Sequence, residues 1–201
     1  MAGLNRGLLL SGGMDSTAIA YWKRPELAIT IDYGQRPAIG EIRAAKAVTD
    51  ALDIKHVVVI ANIADIGSGD LAGRNAIDLA PASEWWPYRN QFLLTVAAMK
   101  CITEGISELM IGALQTDGFH ADGTREFIDQ FNGLLGLQEG NLIVTAPAIG
   151  LNAQELVTDS KIPEDILAWS HSCHVSDLAC GFCRGCLKHY STMDAVYGRP
   201  Y

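Results

Sequence analysis

The sequence predicts an α/β fold: a doubly wound, mostly parallel sheet followed by a small C-terminal helical region that binds metal. Three observations predict it. Short apolar runs alternate with stretches of helical periodicity, a Gly-Gly turn follows the first of those runs, and four cysteines crowd the C-terminal end. Strand and helix in alternation imply right-handed crossovers and a sheet covered on both faces.

The elements follow in order. Leu8–Leu10 is a short apolar run broken by Gly12-Gly13, a buried strand entering a turn. Helix formers run from Met14 to Trp22, and Pro25 ends them. Leu27–Ile31 reads as a second strand, closed by Asp32-Tyr33-Gly34. Pro37 to Leu52 carries alanines and apolar residues at helical spacing, and His56–Ile60 is a β-branched third strand. Residues 62–88 are rich in Gly, Ala, Asp and Pro and show no period, which suggests a lid or binding loop. Arg89–Thr103 reads as a buried helix, Leu109–Ile111 as a strand, Arg125–Leu137 as a helix and Leu142–Thr145 as a strand. From about 163 come a short helix, the cysteine cluster and a last helix over Leu187–Val196. The expected division is 1–160 for the nucleotide-binding α/β unit and 161–201 for the metal-binding helical region.

Composition narrows the classes of function. With 201 residues, 49% of them hydrophobic and 19% charged, the chain is sized for one substantial core. A net charge of −8 argues against broad nucleic-acid binding but leaves room for a small anion in a local basic pocket. No apolar run approaches a membrane span. Only Arg6 precedes Leu8–Leu10, and cleavage there would destroy the glycine turn, so a cytoplasmic location is expected.

Ser11-Gly12-Gly13-Met14-Asp15-Ser16-Thr17 carries the first chemistry. Two glycines let a polyphosphate approach the backbone N–H groups, and the following helix adds its positive end. Ser11, Ser16 and Thr17 can donate hydroxyl bonds. A carboxylate at Asp15 suggests a Mg²⁺ ligand or an orienting group. No Lys-Ser/Thr pair follows the glycines, so this is not a Walker loop. ATP is the expected ligand, with Asp32-Tyr33-Gly34 at a second strand end facing the same crevice.

The cysteines carry the second. Cys180-x-x-Cys183-x-x-Cys186 places three thiolates in one knuckle, and Cys173 joins from seven residues upstream. Four sulfurs make a closed, structural Zn²⁺ site; His171, His174 and His189 are competing ligands. Cys101, alone in an apolar stretch, reads as a core residue.

The glycine loop resembles the pyrophosphate loop of the N-type ATP pyrophosphatases, which implies an adenine-nucleotide α-hydrolase-like, Rossmann-like fold. Within that group the chain resembles the 7-cyano-7-deazaguanine synthases. Ile31-Asp32-Tyr33-Gly34-Gln35-Arg36 is similar to their Asp-Tyr-Gly-Gln-Arg signature, and Pro87-Tyr88-Arg89-Asn90 to their Pro-Gly-Arg-Asn. Gly112 to Arg125 with Thr116-Asp117, Thr145-Ala146-Pro147 and the cysteines complete a collinear set. The resemblance implies that 7-carboxy-7-deazaguanine is activated by ATP, takes ammonia and is dehydrated to the nitrile, in a homodimer, with no nucleic acid or membrane involved. It places Asp32 to Arg36 with Ser11, Gly12, Gly13, Asp15, Ser16 and Thr17 around ATP. It gives catalytic roles to Asp15, Ser16, Arg89 and Asp117, and zinc to the all-cysteine set. Asp117 and Asp122 are candidates for the guanidine-like edge of the base, and Arg36 for a phosphate contact.

The chain departs from the pattern at three places. Tyr88 stands at a glycine position, where a side chain is expected to reshape the heterocycle pocket. The Asp117–Arg125 stretch is about one residue short. A lysine expected two residues before Glu155 is Ala153, which leaves Lys161 or Lys188 to supply the charge. These departures admit a divergent ligase that joins the carboxylate to another amine, of an amino acid or a protein. They also admit a non-catalytic nucleotide-binding subunit.

Overall fold

The computed structural model describes residues 5–199. Five strands form one parallel sheet in the order β3-β2-β1-β4-β5. They are β1 (Arg6–Leu9), β2 (Leu27–Asp32), β3 (Lys55–Ile60), β4 (Glu108–Met110) and β5 (Ile143–Thr145). Between and after them run α1 (Met14–Lys23), α2 (Ala38–Leu52), α3 (Gly69–Ala72), α4 (Arg89–Thr103), α5 (Arg125–Leu135), α6 (Ala153–Ser160), α7 (Glu164–Leu167) and α8 (Arg184–Tyr197).

Side-chain alternation along the strands builds two cores. Leu8, Leu10 and Ala28 pack with α1, α2, α6 and Met193 of α8 on one face. Leu27, Ile29 and Ile31 pack with Leu94 and Ala97 of α4 and Phe131 of α5 on the other. The sheet is therefore doubly wound, as expected. Cys101 is fully buried in the second core, where burial pushes its thiol up to about 12. Among the described residues, no helix is long and apolar enough to cross a membrane.

Strand order reverses between β1 and β4. In such sheets the crossovers leave to opposite faces at the reversal, and a crevice opens at the carboxyl ends of the strands. The Gly12-Gly13 turn leaves β1 there, beside Gly112 after β4, whose Cα side lies against Ser16.

Two stretches differ from the reading of the sequence. Residues 62–88 are ordered by packing rather than by period. Trp86, 2% exposed, sets its ring edge-on to Tyr33 at 5.1 Å, and Ser83 bonds to Asp70 through both backbone and side chain. Helix α6 was not anticipated. Its signature is nevertheless present: Asn152 caps the Glu155 N–H while Glu155 reaches back to the Asn152 N–H.

The turn from β2 to α2 is braced internally. Gln35, 3% exposed, accepts from the Tyr33 N–H and donates to the Ile31 carbonyl and the Glu41 carboxylate, the last at 2.7 Å. Burial pushes the Glu41 carboxyl up to about 7, only partly offset by Gln35 and then by Arg89. Its folded value thus exceeds the unfolded 4.5. The stabilising contribution is full below about pH 4.5 and is lost as pH climbs through about 7, because the unfolded chain ionises first. Glu41→Gln removes this loss. Between pH 4 and pH 8 the variant should gain on the wild type by roughly 1–3 kcal/mol in equilibrium denaturation. Parallel pH profiles for the two proteins would contradict this account of Glu41.

Candidate active site

The loop geometry shows why two glycines stand together. Gly12 has φ +77°, and a Cβ there would lie 2.5 Å from the Glu41 carbonyl, so only glycine fits between β1 and α2. Gly13 is the N-cap of α1 and brings no side-chain cap to the helix. The first-turn N–H groups are thus not capped by a side chain at the N-cap, which is the arrangement that binds an anion. Ser16 Oγ donates to the Gly13 carbonyl at 3.1 Å and lies 3.1 Å from Ser11 Oγ, aligning both hydroxyls along the turn.

A cavity of about 320 Å³ opens over this turn. Ser11, Gly13, Asp15 and Ser16 form one wall; Tyr33, Arg89, Asn90 and Asp117 contribute to the other. The third wall comes from the C-terminal segment. The His171 N–H donates to the Gly12 carbonyl at 2.8 Å, and Lys188 Nζ on α8 meets Asp15 Oδ2 at 2.7 Å. Burial alone would lower the Lys188 ammonium, but the Asp15 and Asp117 carboxylates outweigh it and hold the group above its ordinary value. Asp15 Oδ1 is buried without a hydrogen-bond partner among the described residues.

Four cysteines hold that third wall. The Sγ atoms of Cys173, Cys180, Cys183 and Cys186 all lie within 4.8 Å of one another, a set that can bind a metal ion. Backbone N–H groups of His174, Cys183 and Cys186 point at the sulfurs and offset part of the burial that raises the Cys183 and Cys186 thiols. His171, His174 and His189 stay outside the set; His171 bonds to the Ser176 carbonyl and His189 to Ser172. The segment is also sewn to α2, where Asp177 accepts from the Gly40 N–H and the Arg43 guanidinium.

The remaining expected residues divide into two groups. Gly12 and Thr17 lie behind the loop, and Asp32, Gly34 and Gln35 build the β2–α2 turn instead of lining the cavity. Arg36 is exposed and lies along Gly73, outside the cavity lining. Asp117 lines the cavity but spends Oδ2 on the Leu114 N–H; Asp122 spends its carboxylate on the Asn90 N–H. Tyr88 does not reshape the pocket. It sits at φ +57° with 76% of its surface exposed, pointing away from the cavity. The left-handed backbone explains the glycine in the related signature, since glycine adopts it without strain.

Three charged residues of the cavity lining were not singled out from the sequence: Glu41, Glu84 and Arg184. No local pattern marks them, because each reaches the cavity through long-range packing. Of the two lysines that could stand in for Ala153, Lys188 lines the cavity, whereas Lys161 is exposed at the C-cap of α6. Ala153 itself is buried in the first core.

Residues 7–196 match the family model described as queuosine biosynthesis protein QueC. The 7-cyano-7-deazaguanine synthase of Koribacter versatilis is 32% identical, over 96% of this chain and 92% of that protein. That of Methanocaldococcus jannaschii is 28% identical over 90% of each. Among solved structures, the U34-tRNA thiolase NcsA from Methanococcus maripaludis with its [4Fe-4S] cluster aligns with TM-score 0.53 and 17% identity, over 98% of this chain and 70% of that one. That likeness shares the fold. The chain belongs to the QueC family of queuosine biosynthesis proteins.

Proposed function

We propose that the protein converts 7-carboxy-7-deazaguanine and ammonia to 7-cyano-7-deazaguanine at the expense of ATP, a C–N bond-forming ligase reaction. The observation that carries this reading is the cavity, in which an uncapped glycine turn and Lys188 face Arg89, Asn90 and Asp117. A substrate oxygen attacks the α-phosphorus of ATP and pyrophosphate leaves; ammonia then displaces AMP to give the amide. The amide oxygen is activated and lost in the same way, leaving the nitrile.

The chain's own residues supply position and charge. The N–H groups of the first turn of α1 hold phosphate oxygens, with Ser11 and Ser16 exchanging their bonds to Gly13 for the ligand. Asp15 Oδ1, buried and unmatched, suits Mg²⁺, a hard cation that takes oxygen ligands. Arg89 faces the substrate carboxylate. Lys188 takes the role of the lysine missing at Ala153, neutralising charge that develops on the phosphates. Two departures that would favour a different amine thereby lose weight: Tyr88 faces solvent, and the phosphate-side charge is present. A homodimeric state belongs to the same reading.

We assign zinc to the four cysteines. A tetrahedral ion with Zn–S of about 2.3 Å spaces its sulfurs about 3.8 Å apart. Cys180–Cys186 and Cys173–Cys183 are each at 3.9 Å. A four-iron cluster would hold its thiolates on a wider body than this set provides. Bound zinc supplies cross-linking, and the residues do the chemistry.

Purified protein incubated with ATP, Mg²⁺, ammonium and the carboxylate should yield nitrile and AMP, with one zinc per chain by elemental analysis. Folded, metal-loaded protein that makes neither nitrile nor amide would sink the proposal. Lys188→Met should lower kcat/KM for ATP by about 10²- to 10³-fold, the scale of losing one charge-stabilising donor, with metal content unchanged. Lys161→Met should match the wild type; equal losses in both would refute the role given to Lys188.

A further inference from the structure

We propose that Glu84 reads the paired N–H edge of the substrate's heterocycle, the 2-amino and ring N–H of a guanine-like base. The inference rests on the function proposed above and names the group that selects its base.

Glu84 comes from the segment without periodicity, and its place is set by Trp86 two residues on, which packs against Tyr33. It forms part of the cavity wall and is 6% exposed. Oε1 accepts from Arg184 Nη1 at 2.8 Å, with His120 Nε2 at 3.6 Å from the same oxygen. Oε2 is buried and has no hydrogen-bond partner among the described residues. Burial would raise this carboxyl, but its own backbone N–H, then Arg184, His174 and His120, hold it below the usual range. It is therefore an anion with unused acceptor capacity in a cavity wall. Leaving such an acceptor unmatched is costly, so a donor from a ligand is favoured there.

The other carboxylates nearby are placed differently. Asp122 lies outside the cavity lining and holds the Asn90 N–H, and Asp117 holds the Leu114 N–H and lies near the Lys188 ammonium. Asp15 Oδ1 is the other unmatched buried carboxylate oxygen, but it stands at the phosphate turn. The surroundings also choose the ligand. The Arg184 guanidinium on Oε1 repels a metal ion or ammonium, and among the described residues the metal-holding set is the four cysteines. A neutral partner with two parallel N–H groups meets no such repulsion, and a carboxylate accepts both in one plane. Each oxygen has two lone pairs, so Oε1 can keep Arg184 while it takes one substrate N–H.

The test compares binding of 7-carboxy-7-deazaguanine and its 2-desamino analogue by calorimetry, in the wild type and in Glu84→Gln. Glutamine keeps an acceptor for Arg184, and Glu84→Asp keeps the charge should glutamine fail to fold. ATP affinity serves as the check on the rest of the site. The wild type should prefer the amino-bearing base by about 10- to 100-fold. Glu84→Gln should lose that preference while binding ATP as before, and Glu84→Asp should retain part of it. A purely structural Glu84 would weaken both bases equally and leave the preference intact, which overturns the inference alone. A wild type that binds neither base overturns the proposed function and this inference with it.

Discussion

The return of the C-terminal segment across the carboxyl ends of the strands is the constraint on which the rest of the site depends. A glycine turn at a helix N-terminus is a shallow anion site by itself, open to water on one side. Here the His171 N–H closes onto the Gly12 carbonyl, and Lys188 reaches Asp15 from 173 residues away. Neither contact survives unless residues 171–189 keep their path. That path is irregular, with little secondary structure before α8, so it needs support that helices and strands do not give. The four sulfurs and the Asp177 bonds to α2 provide it. Close packing adds to the support: a Cβ on Gly185 would overlap the Ser172 carbonyl and His174.

Charge is distributed to match. The protein carries −8 overall, yet its cavity collects Arg89, Arg184 and Lys188 against Asp15, Glu41, Glu84 and Asp117. In a partly dry cleft such pairs act strongly and at short range. One end joins Lys188 to Asp15 at the phosphate turn; another joins Arg184 to Glu84. Both cations sit on α8, Arg184 directly after Cys183 and Lys188 two residues after Cys186. One cross-linked helix thus serves both ends of the site.

What was legible in the sequence follows from range. Strands β1 and β2 were visible because their apolar runs alternate with polar turns over a few residues. The cysteine set was visible because three of its members fall at two-residue intervals, and the structure brings all four together. The direction of Arg36 was not legible because a charge beside a turn can face either side, and nothing local chooses; the structure lays it along Gly73. Glu84 was invisible for the opposite reason. Its segment has no period, and it is placed by Trp86 against a tyrosine more than fifty positions earlier in the chain. Tyr88 was read as a pocket residue because its position was known but its backbone was not. Its backbone is left-handed at φ +57°, and its ring is exposed outside the cavity lining.

The account stands on the C-terminal segment forming a wall of the proposed nucleotide site. Hydrogen exchange with and without ATP measures this directly. ATP should slow amides in 171–189 together with those in 12–17, since both line one ligand. Protection confined to 12–17, with 171–189 exchanging as in the free protein, would contradict it.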